Sequence, residues 1–207
     1  MFTGIVQQTC VVSAIESKAD AMSFAVTFSP ALLEGLEIGA SVAIDGCCQT
    51  VRSIDAHEVW FDAIVETLRV TTLGNLQPGT QVNVERAARY GQEVGGHELS
   101  GHIDCTTDVL QIADSGDNHI LTLQLPPQFE RYIFNKGYLA IHGCSLTVGH
   151  IDKQAGTFQV FLIPETLRVT NLSALVSGGK VNIEIERKTQ TIVDTVVAYL
   201  EEHPLGR

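Results

Sequence analysis

Apolar residues recur along this chain with two rhythms. One is alternation, or β-branched enrichment, over four to eight residues bounded by turn residues, the pattern of a half-buried strand. It marks residues 11–15, 22–28, 41–44, 47–54, 59–64 and 81–84. Asp45-Gly46, between the third and fourth, is a hairpin turn pair, and His142-Gly143 keeps the glycine later in the chain. Short helices fit 30–36, 127–134 and two "ETLR" stretches, with Pro164 suited to a first helical turn. The other rhythm is helical. Over 191–202 the positions Ile192, Val193, Val196, Val197, Tyr199 and Leu200 make a broad apolar face. Such a face either packs on its own domain or forms an oligomer seam, and spacing alone does not choose.

The strand pattern occurs twice. "IDGCCQTV" (44–51) returns as "IHGCSLTV" (141–148), "VETLRVTTLGNL" (65–76) as "PETLRVTNLSAL" (164–175), and "VNVERAAR" (82–89) as "VNIEIERK" (181–188). "FTGIV" (2–6) lines up with "LSGHI" (99–103). The offset stays between 97 residues, as at Ile44/Ile141, and 99, as at Val82/Val181, over all four blocks. Solenoid repeats are about 20–50 residues long, so this is a duplicated domain. The boundary falls in "YGQEVGG" (90–96). The expected organisation is a first barrel over 1–90, a second over 97–188 and a C-terminal helix over 189–202. Several strands per half with few helices predict small closed antiparallel barrels, a mostly all-β fold.

Composition narrows the chemistry. The 207 residues are 44% hydrophobic, enough for a core, and the formal net charge is −11. Nucleic-acid binding needs a basic patch, which argues against that class. No apolar run is long enough to span a bilayer, so no membrane partner is expected. The start, "MFTGIVQQT", lacks a signal-peptide pattern, and a cytoplasmic location is the expectation. Of the five cysteines, none forms a CxxC pair. Reduced thiols are the plain reading.

"HELSGH" (97–102) superficially resembles a zinc signature but has one residue too many. A separation of five does not put both histidines on one helix face, so no metal is expected. Each histidine by itself is more often structural or superficial than catalytic. Gly4 and Gly101 open equivalent strand-like segments, marking either a bulge or close approach by a ligand or another backbone. His102 stands where the first half has Ile5. Cys47 and Cys48 should face opposite ways on their strand. Ser145 replaces Cys48 in the second copy, which disfavours a covalent role for the thiol. Thr50/Thr147, Glu66/Glu165 and Thr67/Thr166 repeat; the last pair could serve as helix caps. Yet the same blocks also offer free backbone N–H groups. Two such sites would suit two copies of one polar planar ligand, and hence a reaction between identical molecules.

"MFTGIVQ", "GASVAIDGCCQTV", "ETLRVTTLG", "GGHELSGHI", "KGYLAIHGCSLTV", "LIPETLRVTNL" and "VNIEI" together resemble the riboflavin synthase family of the α-chain type, from Met1 to about Leu200. The resemblance implies two tandem six-stranded Greek-key barrels and a C-terminal helix that seals a homotrimer. It implies dismutation of two 6,7-dimethyl-8-ribityllumazine molecules into riboflavin and 5-amino-6-(ribitylamino)uracil by transfer of a four-carbon unit. No cofactor is implied, and any association with lumazine synthase is left open. The active site would lie between the first barrel of one subunit and the second barrel of its neighbour.

Carried over by position, ligand contacts fall on Gly4, Ile5 and Val6, on Cys48, Gln49 and Thr50, and on Asp62, Ala63, Ile64, Val65, Glu66 and Thr67. In the second half they fall on Gly101, His102 and Ile103, on Lys136, on Ser145, Leu146 and Thr147, and on Leu162, Ile163, Pro164, Glu165, Thr166 and Leu167. Catalytic candidates are Ser41, Cys48 and His102, with Ser145 as a further polar group. An imidazole titrates near pH 6.5 and suits proton removal from the acidic 7-methyl group of one lumazine. Aligning two substrates can itself contribute ~7–11 kcal/mol. One position departs from the family: His142 stands where aspartate is usual, and Asp45 where asparagine is common. His142 is therefore a fifth catalytic candidate, and His142→Asp is expected to alter turnover more than folding. The alternative is a non-catalytic carrier, like the lumazine and yellow fluorescent antenna proteins of luminous bacteria. Those have lost much of the second-half site, whereas this chain keeps "SLTV", "IPETL" and "SGHI".

Overall fold

A computed structural model describes residues 1–115 and 118–203. The first half supplies strands β1 (Gln8–Ser17), β2 (Ala21–Thr27), β3 (Ser41–Ile44), β4 (Cys47–Asp55), β5 (Glu58–Ile64) and β6 (Gln81–Arg86). The second supplies β7 (Cys105–Ser115), β8 (Asn118–Gln124), β9 (Tyr138–Ile141), β10 (Cys144–Asp152), β11 (Thr157–Leu162) and β12 (Lys180–Ile185). Each set closes an antiparallel barrel with the same neighbour order, β1-β2-β5-β4-β3-β6 and β7-β8-β11-β10-β9-β12. Full closure leaves no edge strand. The register slips after Val12 and Val51, and again after the equivalent Val109 and Val148. These bulges bend the strands so that six suffice to close.

Alternation fills each interior. Val12, Phe24, Val26, Ile44, Val51, Val59, Phe61, Val82 and Val84 form the first core. Val109, Leu121, Leu123, Ile141, Val148, Phe158, Val160, Val181 and Ile183 form the second. Two of the expected helices, over 30–36 and 127–134, are shorter than the sequence suggests. α1 spans only Pro30–Leu33, ending before Gly35 in a left-handed conformation (φ 61°). The 127–134 segment is a 3₁₀ turn, Pro127–Tyr132, that stops at Ile133 rather than an α-helix running to 134. α2 (Val65–Val70) and α3 (Pro164–Val169) are the two "ETLR" helices. α4 (Arg187–Glu202) starts earlier than expected. It docks on the second core through Val193, and Asp194 accepts from the Tyr132 hydroxyl at 2.6 Å. Ile192, Val196, Tyr199 and Leu200 remain exposed. No helix among the described residues is long and apolar enough to cross a membrane.

The barrels meet across a pseudo-twofold seam. Its centre is the pair of hairpin turns: Asp45 (φ 45°) with Gly46 (φ 81°), and His142 (φ 47°) with Gly143 (φ 77°). The glycines pack backbone to backbone, so a Cβ on Gly46 would lie 2.6 Å from the Gly143 nitrogen. Two buried asparagines cross the seam reciprocally. Asn83 donates to the His142 carbonyl and Asn182 to the Asp45 carbonyl, both at 2.9 Å. Their own carbonyl oxygens accept from the backbone N–H of Asn171 and Thr72 at 2.7 Å.

Candidate ligand-binding site

The β3–β4 hairpin turns Val42, Ile44, Cys47, Gln49 and Val51 inward and leaves Ser41, Ala43, Cys48 and Thr50 on the outer wall. Cross-strand pairing sets Ser41 opposite Thr50 and Ala43 opposite Cys48. The β9–β10 hairpin repeats this with Tyr138 opposite Thr147 and Ala140 opposite Ser145. Each outer row is covered by a segment from the other half of the chain. The Cys48 N–H donates to the Gly101 carbonyl at 2.7 Å, and the Ser145 N–H to the Gly4 carbonyl at 2.8 Å. Ile103 packs against the first core and Val6 within the second. The glycines are required by this approach. A Cβ on Gly101 would stand 2.6 Å from Cys48 Cβ, and one on Gly4 2.5 Å from Ser145 Cβ, both at positive φ. The reading of these glycines as bulges is thereby replaced by close approach to a second backbone.

Two buried carboxylates fasten the exchanged segments. Glu85 accepts from the Thr3 N–H (2.6 Å), the Thr3 hydroxyl (2.7 Å) and the Gly4 N–H (3.0 Å). Glu184 accepts from the Ser100 N–H and hydroxyl (both 2.7 Å) and the Gly101 N–H (3.0 Å). Burial pushes both carboxyls above their ordinary range, and these hydrogen bonds pull against it.

On the second barrel the result is a cavity of about 440 Å³, lined by Gly4, Ile5, Val6, Ser145, Ile163, Glu165 and Thr166 among others. The repeat places Gly101, His102, Ile103, Cys48, Ile64, Glu66 and Thr67 equivalently on the first. Both sites are floored by a short helix without a side-chain cap, α2 after Ile64 and α3 after Ile163. Uncapped first-turn N–H groups are free donors there. Thr67 and Thr166 are not caps; their carbonyls accept from Thr71 and Thr170, whose hydroxyls cap the next 3₁₀ turn. Glu66 and Glu165 are held by Arg69 and Arg168, at 2.8 and 2.6 Å. Ile64, Val65 and Ile163 are exposed apolar rims.

The structure sorts the other expected residues. Ser41 and Thr50 share the first outer row with Cys48; His102 is exposed beside it, its carbonyl held by Arg187 at 2.7 Å. Lys136 is exposed in a left-handed turn (φ 67°) where the first half has Gly39. Ala63, Leu162 and Leu146 point into the barrels and Leu167 packs on the second core, so these side chains support the wall rather than face a ligand. Gln49 also points inward, with Oε1 buried and unpaired among the described residues. Asp62 is engaged on the barrel surface by the Ser23 hydroxyl (2.5 Å) and Arg52 (3.1 Å). Pro164 and Leu162 flank Ile163 at the start of α3. His142 does not reach the second outer row. It is buried at the seam beside Asp45, facing a separate cavity with Asn171 and Lys180, so a catalytic role there is not supported. Burial pushes Cys47 and Cys144 up to about 12, leaving these thiols inert. Glu85, Glu184, Asn83 and Asn182 were missed, although each pair stands at equivalent places in the repeat.

Comparison with known proteins agrees with this geometry. A lumazine binding domain model matches residues 3–87 and again 100–186. The riboflavin synthase of Escherichia coli (strain K12) is 47% identical over 197 residues, covering 95% of this chain and 92% of that protein. That of Chlamydia pneumoniae is 39% identical, covering 95% of each chain. Crystal structures of LumP complexed with riboflavin and with 6,7-dimethyl-8-(1'-D-ribityl) lumazine superpose with TM-scores of 0.82 and 0.81. They are 29% and 27% identical to this chain, covering 90% of it and 100% and 99% of their own lengths.

Proposed function

The chain belongs to the riboflavin synthase family of lumazine-binding proteins, and from that premise we propose how its two outer rows divide the reaction. It is a transferase that converts two molecules of 6,7-dimethyl-8-ribityllumazine into riboflavin and 5-amino-6-(ribitylamino)uracil. The observation that carries the reading is the duplication of one ligand-sized wall, each copy completed by a glycine segment from the other half. Each barrel holds one lumazine, with its ring edge on the first-turn N–H groups of α2 or α3. The apolar rims Ile64, Val65 and Ile163 are exposed in the single chain, so the two lumazines meet where the first barrel of one subunit faces the second barrel of a neighbour. The exposed stripe of α4 is the seam of the homotrimer that sets this facing. The setting is cytoplasmic.

Alignment supplies much of the rate. His102 takes the 7-methyl proton of one lumazine: the C–H bond breaks and its electron pair delocalises over the heterocycle. Ser41, Cys48 and Ser145 supply polar contacts that hold the two rings in register while the four-carbon unit moves. Incubating the purified chain with the lumazine should consume two molecules per riboflavin formed, followed by riboflavin absorbance. Bound chromophore without turnover would instead establish a carrier. His102→Gln should cost about a hundredfold or more in turnover; near-normal turnover would remove His102 from the base role.

A further inference from the structure

His97 belongs to a motif that the proposed reaction leaves unused, and the first barrel's wall has nothing like it. Gly96 brings it in: a Cβ there would stand 2.2 Å from the Thr3 carbonyl oxygen and 2.7 Å from Ser145 Cβ, so only glycine lets the segment pass this close. His97 is then 5% exposed, stacked on Tyr138 with centroids 5.2 Å apart and planes at 19°. Its Nδ1 lies 2.6 Å from Ser145 Oγ, and its Nε2 is buried with no partner among the described residues. Ser145 lines the 440 Å³ cavity.

Burial pushes the His97 imidazole below its ordinary value, so the ring is neutral near pH 7 and carries one proton. A proton on Nε2 would be a buried N–H without an acceptor, the rarer and costlier orphan. A proton on Nδ1 leaves only a bare lone pair and donates to Ser145 Oγ. The serine's own hydrogen is then free to point into the cavity.

We propose that His97 is a positioning residue that holds the Ser145 hydroxyl as a hydrogen-bond donor to an acceptor edge, carbonyl oxygen or ring nitrogen, of the heterocycle in the second-barrel pocket. The first barrel offers Cys48 at the same place, a weak S–H donor. The two pockets therefore differ in donor strength. This rests on the reading that the second outer row holds a lumazine or flavin ring.

Riboflavin titrations followed by fluorescence quenching of the full chain test it without needing turnover. His97→Phe, which keeps the stack, and Ser145→Ala should each weaken one class of site by about tenfold, the scale of one neutral hydrogen bond. The double variant should be no weaker than either single one. His97→Asn, whose amide donates from near the Nδ1 position, should stay within about twofold of wild type. Additive losses, or His97→Asn as weak as His97→Phe, would overturn the positioning role. If His97→Phe fails to fold, Ser145→Ala on the His97→Asn background decides, since a full tenfold loss there is required. A wild-type chain that binds no riboflavin would overturn the functional reading itself, whereas binding with additive losses overturns only the role of His97.

Discussion

The outer walls of the two barrels share a backbone but not a chemistry. On the first, Ser41, Cys48 and Thr50 lie under the Gly101–His102 segment. On the second, Tyr138, Ser145 and Thr147 lie under Gly4–Ile5, with His97 wedged behind Ser145. Everything that fixes the frame is duplicated: the outward pairs, the glycine crossings, the Glu85 and Glu184 clamps, the crossed asparagines. The polar groups that could touch a ligand are only partly so: Thr50/Thr147 and Glu66/Glu165 repeat, whereas Ser41 corresponds to Tyr138, Cys48 to Ser145 and His102 to Ile5. A reaction between two identical molecules needs two similar seats and two different roles, and this division of conserved frame from varied wall supplies both.

The frame should be the harder half of that comparison to disturb without loss. Gly143→Ala drives a Cβ to within 2.7 Å of the Gly46 nitrogen at φ 77° and should cost about 3 kcal/mol or more, read from urea unfolding. Gly156→Ala is the control, at φ 66° with nothing among the described residues within 4 Å of the added Cβ, and should cost only about 1–2 kcal/mol. Equal losses would mean that left-handed backbone, not the seam contact, sets the requirement.

His142→Asp comes next. It would place a second buried carboxyl by Asp45, whose own Oδ1 already accepts from the Asn83 N–H (2.8 Å) and Asn171 Nδ2 (2.9 Å). Stability should fall by about 1–3 kcal/mol, with turnover per folded chain unchanged. Adding Asp45→Asn should recover much of it. Lost turnover at unchanged stability would return His142 to the catalytic set.

Gln49→Leu should go the other way. Gln49 occupies the interior position that Leu146 fills in the second barrel, with an Oε1 that has no partner among the described residues. Replacement should stabilise by about 1 kcal/mol, seen as a raised urea midpoint. A loss would mean that the bonds from Nε2 to the Cys48 carbonyl and Cys47 Sγ matter more.

The smallest effect concerns pH. Raised carboxyls at Glu85 and Glu184 contribute stability that is full below their unfolded value near 4.5 and lost as pH rises through the higher folded values. The wild type should therefore lose stability across that window relative to the Glu85→Gln/Glu184→Gln variant. A steeper loss in the double variant would show that the clamps favour the ionised form.

Much of this was legible in the residues. The near-constant offset announced the duplication, and alternation set Cys47 and Cys48 on opposite faces, of which the structure turns Cys47 inward. The same alternation places Gln49 and Leu146 inward, but contact segments carried over as contiguous runs swept them in with their neighbours. The exchange of Gly4 and Gly101 between barrels was hidden because a glycine's partner across space leaves no local pattern. His142 drew attention as a departure from the family, yet a turn residue at positive φ points where the seam directs it. His97 pairs in the sequence with His102 five residues on, whereas its partner in the fold is Ser145, 48 residues on in β10.

The claim that each working site joins unlike barrels from neighbouring subunits is most directly tested by complementation. Thr50→Trp and Thr147→Trp each obstruct one outer wall at an exposed position, leaving the cores intact. Each variant alone should form little riboflavin from the lumazine. Chains co-expressed and purified together should recover turnover, because some interfaces then pair an open first barrel with an open second. A mixture as inactive as its components, with both variants folded and co-assembled, would contradict a site shared between subunits.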